Sequence, residues 1–592
     1  MNLSSTIKSI QDIMRKDDGV DGDAQRLGQL TWMLFLKVFD QREEEWEDDN
    51  PKYQSPLPER FRWRNWAAYK VDAEGKKKPQ IAGSELIPFL NNELFPQLKE
   101  QIDASRSLQH KVIKQVFEDA NNYMKSGTQM LAVIEKLEEA INFHDFKIRA
   151  NLGDVYEQLL NDLRGAGNAG EFYTPRAITA FMADRVNPRL DKRETVMDPA
   201  CGTGGFLTAA IDHLRYQISN KSSAEDRRAI EQLIYGIEKK QLPHLLCTTN
   251  MLLHGIDVPS QIEHRNTLGI GWNEWNANDK VDCIITNPPF GGYEDDGVGS
   301  DYPAELRTRE TADMFMALII KKLLKENGRA AVVLPDGFLF GTGVKDVLKK
   351  LMLRDCKLHT IIRLPKGVFA PYTTIKTNLL FFTKGATVDD GSDNFHTDTI
   401  WFYEHPYPQG YKSYSKTKPI QLKEFEAEQE WWGDEANDFS DRVENEFAWK
   451  VDFKSKREQA EAAARPHWQR AEVLNNQAAA LEGEANDLRK SLVGTGDAAY
   501  RERIEAQIAE LRSKAEPLRL QARDSHAAGE RIYWPIFNLD IPNPNTPEEE
   551  THDPELLLEK YKKLLGEIEE TENQLKSELA AALAHHFVGE EA

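Results

Sequence analysis

Residues 198–206 read Asp-Pro-Ala-Cys-Gly-Thr-Gly-Gly-Phe, and few backbone geometries accept such a run. The apolar pair Val196–Met197 precedes it, and an apolar, helix-like stretch from Leu207 to Leu214 follows. Strand, glycine-rich turn and helix in that order bring main chain close to a nucleotide-like ligand. Glycine serves where a side chain would block the ligand or where φ must be positive. No Gly-Lys-Ser or Gly-Lys-Thr follows, so this is not a phosphate loop. Asp198 instead puts a carboxylate at the strand end, which suits a cationic or amino-bearing ligand better than a pyrophosphate. The plainer reading is a tight strand–helix turn without a ligand.

The surroundings favour the ligand. Between residue 146 and about residue 420, short apolar runs alternate with helical stretches. The runs are 195–197, 233–237, 281–285, 330–334, 359–364 and 378–382. Such alternation predicts an α/β fold with a parallel sheet and crossover helices. The short connection between the last two runs predicts an antiparallel pair at one edge. The second run ends in Ile237–Glu238, and an acid there typically accepts hydrogen bonds from ribose hydroxyls. The third run leads into Asn-Pro-Pro-Phe at 287–290. Its two prolines stiffen the chain and carry no N–H, so the Asn287 amide oxygen and the Pro288 carbonyl can both face a ligand. Two adjacent acceptors suit an exocyclic amino group, which carries two protons. Phe290 offers a face on which a planar base can stack.

Together these motifs resemble the S-adenosylmethionine-dependent amino-methyltransferases, and their order and spacing match the adenine-specific DNA methyltransferases. Glu-Phe-Tyr-Thr-Pro at 171–175 narrows the resemblance to the modification subunit of type I restriction–modification systems. The resemblance implies a Rossmann-like methyltransferase domain. It also implies that Asp198, Pro199, Ala200, Gly202, Thr203, Gly204, Gly205 and Phe206 surround the methionine end of S-adenosylmethionine. Glu238 then meets the ribose, and Glu171, Phe172, Tyr173, Thr174 and Pro175 close over the cofactor. Asn266 stands where the family has an Asp or Asn near the cofactor's adenine. Asn287, Pro288, Pro289 and Phe290 form the catalytic tetrapeptide, and Phe369 or Tyr372 is a candidate second wall of the base pocket. The implied reaction is methyl transfer to adenine N6 in double-stranded DNA, with no metal. The tetrapeptide also occurs in enzymes that methylate cytosine N4, RNA guanine or protein glutamine, and a non-catalytic scaffold is a further alternative.

Composition sets limits on partners. Lys and Arg number 75 against 97 Asp and Glu, a net charge of −22. So acidic a chain is a poor binder of nucleic acid by charge alone, and no helix-turn-helix or zinc finger is evident. The resemblance implies a separate specificity subunit that reads the sequence, a second copy of this chain around the DNA and a restriction or translocation subunit, since no Walker motif is present. Cys201, Cys247, Cys283 and Cys356 have neither zinc-ligand spacing nor a disulfide framework, which predicts a reduced, cytoplasmic protein. Cys201 reads as a small packing residue. The N-terminal stretch lacks a signal-type apolar core, and the apolar run 31–39 falls short of the ~20 residues that span a bilayer.

Residues 1–145 read as a helical domain, with stripes at Leu27, Leu30, Leu34, Val38 and at Met130, Ile134, Leu137, Ile141. The basic, aromatic segment 60–70 could hold phosphates and stack on bases. The favoured reading is a surface loop whose tryptophans plug the helical core. The methyltransferase domain takes 146–420 and a connecting segment 421–454. Residues 455–530 form an antiparallel coiled-coil hairpin, from apolar steps at Leu474, Ala478, Leu481, Ala485, Leu488, Leu492 and again at Ile504, Ile508, Leu511, Ala515, Leu518. The segment 531–592 ends in a helix with Leu557, Tyr561, Leu564 and Ile568 on one face, suited to subunit contact.

Overall fold

The computed structural model describes residues 3–72, 74–118, 120–142, 153, 156, 173–218, 224–370, 372–386, 394–415, 417–494, 496–545 and 554–587. Residues 1–542 form one compact unit and 543–592 a second.

The N-terminal region is helical around α1 (Gly22–Asp49), in which not only Leu27, Leu30, Leu34 and Val38 but every residue from Leu27 to Asp40 is buried, so this helix runs through the core instead of presenting one apolar stripe to it. Trp63 and Trp66 are both 2% exposed within the same core. The basic residues around them are occupied. Arg62 pairs with Glu47 at 2.9 Å, Arg64 with Asp40 at 3.0 Å and with Glu47 at 2.9 Å, and Arg60 with Glu93 at 2.6 Å. The segment 60–70 is thus a plug of the helical core.

Nine strands make the main sheet: β1 (Val196–Asp198), β2 (Ile234–Glu238), β3 (Ile262–His264), β4 (Val281–Thr286), β5 (Leu324–Pro335), β6 (Cys356–Arg363), β7 (Thr377–Lys384), β8 (Thr399–Glu404) and β9 (Ala448–Asp452). Their order is β9-β8-β6-β7-β5-β4-β1-β2-β3. β3, β2, β1, β4 and β5 run parallel. β7 is antiparallel to both β5 and β6. The expected antiparallel pair β6–β7 therefore exists but lies inside the sheet, because β7 inserts between β5 and β6 and β8 and β9 extend beyond. β3, β8 and β9 carried no apolar run that the sequence reading singled out. β9 comes from the segment 421–454.

Side chains alternate across the sheet. Ala330, Val332 and Leu334 enter one core, while Ala331 and Val333 enter the other. Both faces are covered, which is why the strands are near-continuous apolar runs. Helices α2 (Arg176–Val186) and α3 (Gly205–Tyr216) cover one face. α5 (Thr311–Leu318) and α6 (Val344–Asp355) cover the other. The helix between β2 and β3, α4 (Gln241–Leu253), also packs against the N-terminal core through Leu245, Leu246, Leu252 and Leu253.

Two long helices, α7 (Phe453–Ser491) and α8 (Ala498–Tyr533), follow the sheet and pack on each other. Ala464, Ala471, Ala478 and Ala485 are buried every seventh residue, against Ile504, Ile508, Ala515 and Ala522. Small residues at one heptad position let the helices approach closely, while Leu474, Leu481 and Leu488 are only half-buried at the margins. Gly529 leaves room for Trp468, since a Cβ there would lie 2.6 Å from the indole nitrogen. In the second unit, α9 (Pro554–Phe587) exposes Tyr561, Leu564 and Ile568 along one face. No helix among the described residues is long and apolar enough to cross a membrane.

Candidate active site

A cavity of about 400 Å³ opens at the C-terminal ends of β1, β2 and β4, where doubly wound sheets bind ligands. The loop after β1 forms its floor. Gly202 and Gly204 adopt φ of 53° and 83°. A Cβ on Gly204 would come within 2.8 Å of Cys247 Sγ, so both conformation and space demand glycine there. The Cys201 and Cys247 sulfurs lie 3.7 Å apart, buried beneath the loop. The contact with Cys247, together with burial, pushes the Cys201 thiol well above its ordinary value, as befits a packing residue.

Asp198 ends β1 and is buried. One oxygen accepts from Thr286 Oγ1 at 2.6 Å and from the Ala200 N–H at 3.1 Å. The other is buried without a partner among the described residues. Burial pushes its carboxyl up to about 7, against the opposing pull of the Thr286 and Ala200 donors. A buried, unsatisfied carboxylate calls for a cation or a strong donor. Glu238, at the end of β2, binds the loop back to the sheet. It accepts from the Gly202 N–H at 3.0 Å and from the Lys240 N–H at 2.7 Å. Burial raises its pKa as well.

The tetrapeptide follows β4 directly. Asn287 donates Nδ2–H to Thr174 Oγ1 at 3.1 Å, and its Oδ1 is buried without a partner among the described residues. Phe290 meets Phe369 edge to face, with centroids 6.5 Å apart and planes at 88°. Both rings and Tyr372 line the cavity.

Of the residues singled out from sequence, Tyr173, Thr174, Asp198, Pro199, Ala200, Gly202, Thr203, Gly205, Phe206, Glu238, Asn266 and 287–290 all line this one cavity. Pro175 instead caps α2, and Gly204 caps α3. Glu171 and Phe172 lie outside the described residues. Asn266 is engaged on both sides of its amide. Its Oδ1 accepts from the Leu268 N–H, and its Nδ2 donates to Glu294 Oε2, each at 3.1 Å.

Several cavity residues carry no motif. Thr286, buried just beneath the cavity, orients Asp198. Thr267 Oγ1 donates to the Pro199 carbonyl at 2.6 Å. Glu294 is buried and pairs with Lys239 at 2.9 Å. Thr311 reaches the tetrapeptide from α5. Thr286 and Thr267 each adjoin a singled-out residue in the chain, Asn287 and Asn266; the others had no local signal.

The pieces fit a ligand with a cationic or amino-bearing end over the glycine loop and a planar amino group at Asn287. Comparison with known proteins agrees. The N-6 DNA Methylase family model matches residues 147–473, and the HsdM N-terminal domain model matches residues 3–137. The chain is 49% identical to the type I restriction enzyme EcoEI methylase subunit of Escherichia coli, covering 99% of both chains. It is 28% identical to the EcoKI methylase subunit of Escherichia coli strain K12, over 72% of this chain and 75% of that one. A structure from work on assembly and conformational transition of the type I R-M system superposes with TM-score 0.68, at 28% identity, over 98% of this chain and 99% of that chain. A modification-subunit structure from Vibrio vulnificus YJ016 superposes with TM-score 0.62, at 37% identity, over 76% of this chain and 92% of that chain.

Proposed function

Because the chain belongs to the N-6 DNA methylase family, among the methylase subunits of type I restriction enzymes, we propose that it transfers the methyl group of S-adenosylmethionine to adenine N6 in double-stranded DNA. The observation that carries the residue assignment is the Asn287 amide. It lines the cavity, its Nδ2 is tethered to Thr174, and its Oδ1 has no partner among the described residues, which leaves an acceptor for a substrate amino group.

S-adenosylmethionine supplies, when bound, an electrophilic methyl already activated by its sulfonium. The protein's task is to hold the two reactants in line and exclude water. The glycine loop 202–205 admits the ligand's backbone-sized approach, and the free Asp198 oxygen accepts from its ammonium end. Each oxygen of Glu238 accepts one main-chain N–H and keeps a second lone pair for a ribose hydroxyl. Tyr173 and Thr174 line the cavity where they cover the cofactor, Pro175 caps α2 behind them, and Asn266 borders the adenine.

The target base must leave the duplex stack, which costs a few kcal/mol. Phe290 offsets part of that cost by stacking, and Phe369 supports Phe290 from its edge. Asn287 Oδ1 and the Pro288 carbonyl accept the two amino protons. That contact turns the nitrogen lone pair out of the ring's conjugation and toward the methyl group. The departing proton leaves through the same pair of acceptors.

In the cell, the chain works in the cytoplasm with a specificity subunit that reads the DNA, a second copy of itself and a restriction subunit. Its net charge of −22 fits a division in which other subunits supply most of the DNA-reading surface.

The test is nucleoside analysis of DNA from cells expressing this chain with its specificity subunit, beside the Asn287→Ala version. N6-methyladenine is expected only with the intact chain. A modified adenine at equal level in both would sink the assignment of Asn287. A modified cytosine instead would move the reaction to the alternative amino group.

A further inference from the structure

The tetrapeptide faces an anchoring problem. Pro288 and Pro289 have no amide hydrogen, so two consecutive residues cannot be held by donating to neighbouring main chain. Beyond the Thr174 tether on Asn287, the loop is held through its carbonyls. One side chain does this. Thr311 Oγ1 lies 2.6 Å from the Pro289 carbonyl and 3.3 Å from the Gly292 carbonyl, and the Thr311 N–H donates to Gly292 at 3.1 Å. Pro289 and Gly292 are the two ends of a four-residue bend whose centre is Phe290–Gly291. Gly291 has φ of 76°, a left-handed value that favours glycine at the centre of the bend. Thr311 therefore clamps both ends of the bend that presents Phe290.

The mount behind Thr311 is rigid. It is the first residue of α5, every residue of which is buried. The chain just before it is pinned to the loop as well, with Glu294 N–H donating to the Arg309 carbonyl at 3.1 Å and Tyr293 bridged to Glu310. Just after it, Asp313 is paired with Lys345 at 2.6 Å. Thr311 itself is 5% exposed and borders the cavity.

Resting on the reading of 287–290 as the catalytic tetrapeptide, we propose that Thr311 is a positioning residue for methyl transfer: its hydroxyl sets the bend that aims the Phe290 ring and the Pro288 carbonyl at the extruded base. It touches neither cofactor nor amino group. Its effect falls on the chemical step and on base capture, not on cofactor affinity.

Thr311→Val keeps the shape and removes the hydroxyl, while Thr311→Ser keeps the hydroxyl and removes the methyl. Both are compared with wild type and Asn287→Ala in the complex with the specificity subunit. The readouts are single-turnover methyl transfer, S-adenosylmethionine titration and fluorescence of 2-aminopurine at the target position. Thr311→Val is expected to slow transfer roughly tenfold to a hundredfold and to weaken the extrusion signal, because small misplacements at the reacting centre are costly. Cofactor affinity is expected to stay within about twofold, and Thr311→Ser to recover most of the rate, since the hydroxyl is the donor to the Pro289 carbonyl while the main-chain N–H keeps Gly292 in every variant. A wild-type rate in Thr311→Val overturns the proposal. So does a Thr311→Ser variant as slow as Thr311→Val, or a loss of cofactor affinity in step with the rate. If Asn287→Ala also transfers at the wild-type rate, the catalytic reading beneath the proposal falls; if it is inactive while Thr311→Val is unimpaired, Thr311 alone is misassigned.

Discussion

Asn287 and Thr174 are joined by a 3.1 Å hydrogen bond across 113 residues of sequence. The bond ties the loop after β4 to the segment entering α2. It holds the amide in place beside the cavity, with Nδ2 on Thr174 and Oδ1 without a partner among the described residues. An amide without that tether could turn its donor toward the substrate amino group, and two donors repel.

Thr174→Val should therefore slow methyl transfer by about tenfold or more, the scale of one lost hydrogen bond of orientation. Thr174→Ser should retain most of the rate. Single-turnover kinetics at saturating cofactor checks this, and equal rates for Val and wild type would show that the tether is dispensable.

The buried Asp198 carboxyl predicts how the ligand-free protein responds to pH. Its folded value is raised to about 7, above its ordinary 3.8. A raised acid contributes stability that is fully present below its ordinary value and lost as pH rises through the folded value. Between about pH 4 and pH 7 the ligand-free chain should thus lose up to about 3 kcal/mol from this group. Asp198→Asn keeps the acceptor for Thr286 and Ala200 and should flatten that part of the profile. It should also abolish stabilisation by S-adenosylmethionine. Denaturation midpoints across pH, for both forms and with and without cofactor, test both halves.

Gly204 carries two separable constraints, a φ of 83° and a neighbouring sulfur that a Cβ would approach to 2.8 Å. Gly204→Ala should cost roughly 1–3 kcal/mol of stability. Adding Cys247→Ala removes the clash but not the backbone strain, so the double variant should recover part of the loss. Full recovery would mean that contact alone matters, and none that strain alone does.

In the hairpin, Ala478 is fully buried between α7 and α8. Ala478→Leu overpacks a close helix contact and should destabilise by about 1–3 kcal/mol. The cavity shares no residue with the hairpin, so cofactor affinity should be unchanged. Circular dichroism melts and cofactor titration on the full chain check the pair of expectations. An unaltered melt would show that the two helices do not pack tightly at this layer.

Much of this protein is written in local chemistry. The glycine loop, the acid after β2 and the tetrapeptide are short runs whose backbone demands are visible in composition alone, and each sits at a strand end. The heptad steps at Ala478 and Ala485 and the apolar alternation of 330–334 likewise follow from the geometry of one helix or one strand. Tertiary structure alone decided the rest. β7 inserts between β5 and β6 because strand order depends on pairing energies between distant segments, which no single segment encodes. β3 and β9 are short or mixed in polarity, and only burial against a neighbour makes them strands, whereas β8 carries a legible apolar run, Ile400–Tyr403, that the sequence reading passed over. The tryptophans of segment 60–70 pointed to a plug of the helical core, but only folding brought Asp40, Glu47 and Glu93 within reach of its arginines. Thr286, Thr311 and Glu294 are ordinary residues in sequence, and they acquire roles only where folding carries a hydroxyl or a carboxylate to within hydrogen-bond reach of the cavity.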